Sequence, residues 1–202
     1  AMRVYVVDNG GQWTHREWRV LKYLGVDSKV VPNTTPFDDL DVDALVLSGG
    51  SPSVSVEADR MGRNGEYLDR ADFPILAICA GFQFMVAHYG GRVGAASKPE
   101  FGRTTLHVDE PNDIFRGLPR EFVVWESHND EVKELPASFE LLAHSDDCPV
   151  EAVKVRSRPL YGLQFHPEVE NTEHGSEIFS NFLRVVEEVA EDLDRKSTRL
   201  NS

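Results

Sequence analysis

The chain has 202 residues, 41% of them hydrophobic, and a formal net charge of -13. That is enough apolar chain for one sizeable core, and the acidity opposes direct binding to duplex nucleic acid, whose phosphates call for clustered cations. No apolar stretch approaches the roughly 18 residues of a membrane span, and Asp8 and Asn9 cut short the N-terminal apolar run, so no secretory leader is expected and a cytoplasmic protein is.

In chain order, residues 3–7 read as a buried strand. Residues 13–24 carry Val20, Leu21 and Leu24 at helical spacing and stop at Gly25. A short strand over residues 28–31 closes at Pro32, and another over residues 43–47 ends in Ser48-Gly49-Gly50. Residues 57–70 form a polar helix candidate. Next, Pro74-Ile75-Leu76-Ala77-Ile78-Cys79-Ala80-Gly81 reads as a buried strand turning sharply into a helix that reaches about Tyr89. Strands alternating with helices imply a mainly parallel sheet covered on both faces. Beyond that point residues 104–108, 122–125, 139–143, 150–155 and 160–165 are strand-like with few helical signals between them, an antiparallel extension of the same sheet. An amphipathic helix over residues 174–192 closes the pattern, burying Ile178, Phe179, Phe182, Leu183, Val186 and Val189. One α/β domain over residues 1–195 is expected. Residues 196–202 lose the acidic character and the periodicity, and are expected to be a disordered or non-native tail.

Cys79 is the residue on which the chemistry turns. A lone cysteine in an apolar run is commonly an inert core residue, but a thiol at a tight strand-to-helix bend is held clear of its neighbours and faces a helix N-terminus, which favours a thiolate. Such a nucleophile needs a base, a group that orients the base, and donors for the oxyanion formed at the attacked carbonyl. Gln164-Phe165-His166-Pro167-Glu168 follows a strand and offers His166 as the base and Glu168 as its orienting acceptor. Ser48-Gly49-Gly50 ends another strand, and in a parallel sheet the carboxyl ends of strands share one rim, so this loop and Cys79 should be neighbours. A plain turn, or a pyrophosphatase-type phosphate loop, would also account for the glycines, although Pro52 stands where the latter carries Asp. His15, His88, His107, His144 and His174 show no metal-ligand spacing, Cys148 reads as a spectator thiol, and Trp13 and Trp18 as packing residues. Both cysteines are expected to be reduced. The acidity suits a high-salt cytoplasm or an ordinary acidic enzyme equally.

Taken in this order and at these separations, Ser48-Gly49-Gly50, Cys79-Ala80-Gly81-Phe82-Gln83 and Gln164-Phe165-His166-Pro167-Glu168 resemble the class I, triad-type glutamine amidotransferases, over about residues 3–189. The resemblance implies a flavodoxin-like single domain with Cys79, His166 and Glu168 as catalytic triad and the backbone of Gly50 and Ala80 as oxyanion hole. Gly50 and Gln83 would bind the substrate glutamine. Two positions depart from the family pattern: Ala77 replaces a common Gly and Phe82 a common His, and Phe82 is expected to alter thiol reactivity. Ser127-His128-Asn129-Asp130-Glu131-Val132 further resembles the glutaminase part of GMP synthetases, above all the separate small subunit found in archaea, although a polar hairpin turn would read the same. That likeness implies that Ser127, Asn129 and Asp130 line the glutamine pocket and that ammonia passes to a separate ATP-pyrophosphatase subunit converting XMP to GMP. It implies no cofactor or metal in this chain, with ATP and Mg used by the partner. The alternatives are the glutaminase subunit of anthranilate or aminodeoxychorismate synthase, a stand-alone γ-glutamyl hydrolase and an inactive binding subunit.

Overall fold

The computed structural model describes residues 2–50, 53–111 and 113–200; Pro52 and residues 201–202 of the expected tail lie outside them. The strands are β1 (Val4–Asp8), β2 (Val30–Pro32), β3 (Ala44–Leu47), β4 (Ile75–Ile78), β5 (Arg92–Val108), β6 (Glu121–Glu134), β7 (Phe139–Ser145), β8 (Ala152–Val155) and β9 (Leu160–Leu163). The helices are α1 (Thr14–Tyr23), α2 (Asn64–Arg70), α3 (Ala80–His88) and α4 (Gly175–Leu200). All the strands join one sheet in the order β2-β1-β3-β4-β9-β8-β7-β5-β6. Pairing is parallel from β2 through β4 to β9 and antiparallel from β9 outward to β6.

This topology positions the chemistry. After β4 the chain leaves to build the antiparallel wing, then returns as β9 beside β4, with Ile78 paired to Leu163. The ends of two strands far apart in sequence therefore lie side by side at the carboxyl rim of the parallel sheet, where α/β proteins place ligands.

Side chains alternate across the strands because the pleat has a period of two. Val4, Val6, Val46, Leu76 and Ile78 point to one face and pack with Leu21 of α1 and Ile178, Phe179 and Phe182 of α4. Val7, Leu45, Leu47, Ile75 and Ala77 point to the other, against Tyr67, Leu68, Phe82 and Met85. Burial of each large apolar side chain contributes about 1.5–3 kcal/mol, which is why the parallel strands read as unbroken apolar runs.

Three expectations change. The polar helix over residues 57–70 is a 3₁₀ turn (Ala58–Met61) followed by α2. Gly62 interrupts it at φ 53, where a Cβ would stand 2.7 Å from Asn33 O, so only glycine fits the break. Next, β5 and β6 run well beyond residues 104–108 and 122–125 as a long antiparallel ribbon, and Ser127–Asp130 lies inside β6 and not in a hairpin turn. A register shift between Ala95 and Glu100 bends this ribbon where it reaches the site. Finally, α4 continues past residue 192 to Leu200, so residues 196–200, expected as a tail, extend the helix with exposed side chains. Lys, Arg and Leu are good helix formers, and a growing helix adds a hydrogen bond per residue without needing a partner surface.

Candidate active site

Cys79 stands between β4 and α3 with φ 51 and ψ -109, a backbone region that L residues adopt at a cost of about 1–3 kcal/mol. Its surroundings hold the strain in place. Cys79 N donates to Leu163 O at 2.7 Å, and Cys79 O accepts from Gln83 N at 2.9 Å to open α3. The bend also requires close approach of α3 to the end of β3, since a Cβ on Gly81 would stand 2.7 Å from Leu47 O and 2.9 Å from Ser48 O. Gly81→Ala is therefore expected to destabilise the protein by about 2 kcal/mol and to displace the thiol. Urea unfolding measures it, and an unchanged midpoint would refute the close approach.

The base sits just past β9. His166 N donates to Trp125 O at 2.9 Å, and Thr172 Oγ1 donates to His166 O at 2.6 Å, fixing the backbone on either side of Pro167. His166 Nδ1 meets Glu168 Oε1 at 3.0 Å, which leaves Nε2 as the nitrogen free to serve the thiol. Burial works against the imidazolium, but Glu168 and Cys79 next to it outweigh burial and raise His166 to about 10. Burial pushes Glu168 up, yet His166, with Glu17 beside it, holds it below the usual carboxylate range. The end of β3 presses on both partners: a Cβ on Gly49 would lie 3.3 Å from His166 Cε1 and 3.5 Å from Cys79 Cβ.

On one side of the thiol a cavity of about 240 Å³ is lined by Gly50, Ser53, Ala80, Gln83, Phe101 and the stretch Ser127, His128, Asn129 and Asp130. Every residue that the resemblance nominated for the oxyanion hole or the glutamine pocket is on that wall. Gln83 is turned inward, with Nε2 donating to Asp130 O at 3.0 Å and to Gln164 Oε1 at 3.1 Å, so it braces the wall as well as facing the cavity. Asp130 Oδ2 accepts from Ser53 Oγ at 2.7 Å. Phe82 behaves otherwise than expected. It lines neither cavity beside Cys79, being fully buried on the far face against Gly162 and Met85. Consecutive helix residues point about 100° apart, so the turn that aims Gln83 at the site aims Phe82 into the core.

Comparisons with known proteins identify the family. The model of a family described as glutamine amidotransferase class-I matches residues 5–186. The chain belongs to that family. A Thermoplasma volcanium relative, named as one subunit of a glutamine-hydrolysing GMP synthase, is 50% identical, over 95% of this chain and 96% of its own. A solved structure of the corresponding GMP synthase subunit from Thermoplasma acidophilum has a TM-score of 0.92 at 50% identity, covering 96% of this chain and 98% of that one. A glutamine amidotransferase from Thermotoga maritima shares the fold, with a TM-score of 0.71 at 18% identity over 97% of this chain and 85% of that one.

Two parts of this amidotransferase's site escape the sequence reading. The loop between β1 and α1 closes the other side of the thiol, where Gly10, Gly11, Gln12, Trp13, Thr14 and Glu17 border a second cavity of about 290 Å³ shared with Cys79 and His166. Trp13 meets the His166 ring edge to face at 4.6 Å, so it packs on the candidate base and not merely in the core. Gly10-Gly11 after a parallel strand was the available signal, by the same rim argument applied to Gly49-Gly50.

The second part lies behind the cavity wall formed by Ser127–Asp130. His128 Nε2 bonds Glu100 Oε1 at 2.7 Å and His128 Nδ1 bonds Asp130 O at 2.7 Å, an arrangement that uses both nitrogens as donors. Burial opposes the charged ring, but Glu100, Glu126 and the Asp130 carbonyl raise His128 to about 9. Ser145 Oγ donates to Glu100 Oε2 at 2.7 Å, and Glu126 and Glu151 are fully buried beside them. The ligand atoms of Glu100, His128, Cys148 and Glu151 lie within 4.8 Å of one another. Even so, Glu100 and His128 are spent on each other and their hydrogen-bonded neighbours, and burial pushes the Cys148 thiol up to about 12. The His128–Glu100 pair anchors the Asp130 carbonyl, while the carboxylate oxygens of Glu126 and Glu151 are buried beside it without a hydrogen-bond partner, and Cys148 is buried.

Proposed function

We propose that this amidotransferase is the glutaminase subunit of a two-subunit GMP synthetase, which releases ammonia for a separate ATP-pyrophosphatase subunit. The observation that carries the reading is that Cys79 lines a cavity walled by Gly50, Ala80, Gln83, Ser127, Asn129 and Asp130 and, on its other side, shares a second cavity with His166, which is itself bonded to Glu168. The names of relatives about half identical over nearly the whole chain support the GMP branch.

In this reading the Cys79 thiolate attacks the side-chain amide carbon of glutamine, and the C–S bond forms as the carbonyl electron pair moves to oxygen. Gly50 and Ala80 N–H groups receive that oxyanion. The His166 imidazolium then protonates the amide nitrogen, the C–N bond breaks, and ammonia leaves a γ-glutamyl thioester. His166 next takes a proton from water, whose hydroxide cleaves the thioester to glutamate and regenerates the thiolate. Glu168 keeps Nδ1 protonated throughout, so the imidazole presents Nε2 to each proton transfer. The half-reaction needs no cofactor from this chain; ATP and Mg serve the partner, which activates XMP and accepts the ammonia.

An assay with glutamine, XMP and ATP tests the assignment. The partner alone is expected to make GMP from ammonia but not from glutamine, and addition of this chain is expected to confer glutamine dependence. Glutamine hydrolysis should be slow for the chain in isolation and rise by roughly tenfold or more in the complex with nucleotide bound. Equal turnover with and without the partner, or coupling to a chorismate-binding chain instead, would overturn the GMP assignment.

A further inference from the structure

Glu17 lies in the first turn of α1, on a helix whose neighbouring Arg16 and Arg19 are exposed, yet it is only 1% exposed itself. It borders the cavity that also holds Trp13, Cys79 and His166. Two buried oxygens in this corner have no ordinary donor: Glu17 Oε1 and Glu168 Oε2. Glu168 Oε1 is already taken by His166. Cys79 and His166 share the cavity with Glu17, but the charge that bears most strongly on Glu17 is that of Glu168, with Asp8 adding in the same sense, so a second carboxylate here would meet a like charge. One proton placed between the two carboxyl groups satisfies both oxygens and removes the repulsion.

We propose that Glu17 is a positioning residue for the glutaminase: its carboxyl group donates a hydrogen bond to Glu168 and so holds the carboxylate that orients His166. The triad thereby continues through a fourth group, Cys79–His166–Glu168–Glu17, in which Glu168 is the single anion and Glu17 its neutral donor. Burial, followed by the charge of Glu168, keeps Glu17 well above the usual carboxylate range, so the donor is present at neutral pH. Glu17 does not touch the glutamine cavity, so its effect passes through the base and not through substrate binding. The catalytic consequence rests on the glutaminase reading, whereas the shared proton does not.

Two variants separate a positioning role from simple packing. Glu17→Gln keeps a donor to Glu168, whereas Glu17→Leu keeps bulk and removes it. His166 is followed by imidazole NMR, its signal assigned by loss in His166→Asn, and glutamine hydrolysis is followed in the complex with the synthetase partner. Glu17→Leu is expected to raise the His166 midpoint by about one pH unit, because Glu168 without its donor leaves its whole charge to the imidazolium. It should also lower kcat by about tenfold with KM changed less than about twofold. Glu17→Gln is expected to stay near wild type in both. An unshifted midpoint in Glu17→Leu, or equal losses in the two variants, would overturn the proposal. A shifted midpoint in a protein that fails to hydrolyse glutamine at all would sustain the shared proton and reject the glutaminase reading instead. Should Glu17→Leu fail to fold, Glu17→Gln against Glu17→Ala reads the same contrast.

Discussion

Replacement of Cys79 by Ala is expected to abolish glutamine hydrolysis, a loss of at least about 10⁴-fold in kcat, while the chain stays folded and the partner keeps its ammonia-dependent activity. In the proposed mechanism the thiol forms the thioester, and its loss takes away the nucleophile that His166 would activate. The same position makes a second, opposite prediction for stability. Because Cys79 holds φ 51, where a Cβ is strained, Cys79→Gly should be inactive yet about 1 kcal/mol more stable than Cys79→Ala. Ammonia release measures the first effect and urea unfolding the second. Residual turnover in Cys79→Ala within a hundredfold of wild type would remove Cys79 from the role of nucleophile.

The other large effect is on stability against pH, and it runs opposite to the usual acid sensitivity of proteins. Burial raises Glu126 from the ordinary 4.5 to about 7 and raises Glu151 and Glu17 well above that ordinary value. A carboxyl raised by folding binds more protons in the folded than in the unfolded chain, so its contribution is full below about 4.5 and is lost as pH rises through about 7. His128 and His166 add to the same trend: with folded values of about 9 and about 10, their contribution is full below the unfolded 6.5 and is lost as pH climbs through those values. Glu100 and Glu168 are lowered and act in the opposite sense, losing their contribution only as pH falls below the ordinary carboxylate value. Maximum stability is therefore expected near pH 5, with the melting temperature falling steadily toward pH 9. Glu126→Gln isolates one contributor, since its amide can donate to a neighbouring carboxylate without ever ionising. It should be about 2 kcal/mol more stable than wild type at pH 8 and nearly equal at pH 5. Parallel melting curves for the two proteins across pH 5–8 would show that Glu126 does not titrate on folding.

How much of this was legible in the sequence follows from how local each signal is. Cys79 was legible because an apolar strand, a cysteine and small residues occupy consecutive positions, and the bend they make is decided by those positions alone. His166 and Glu168 were legible for the same reason, as a rigid His-Pro-Glu beyond a strand, and the structure joins them at 3.0 Å. Phe82 was misjudged because adjacency in sequence is not adjacency in space on a helix; its ring lies under Gly162, on the face away from the thiol. The break at Gly62 was missed because a polar segment with helical composition gives no warning of a backbone that must turn left-handed against Asn33.

Glu17, Trp13 and the Glu100–His128–Glu126–Glu151 cluster share a different reason. Glutamate and histidine are ordinarily surface residues, and nothing within a few positions of each one announces burial. They are buried because β5, β6, β7 and β8 bring their side chains to one interior, and because the β1–α1 loop folds over the rim of the sheet. The sequence by itself determined the alternation of strands and helices, the bend at Cys79 and the candidate groups for catalysis, since these depend on periodicity and neighbouring residue types. Only the tertiary structure decided which titratable groups are buried together, because the raised carboxyls and the surroundings of Glu168 depend on burial and on charges drawn from distant segments of the chain.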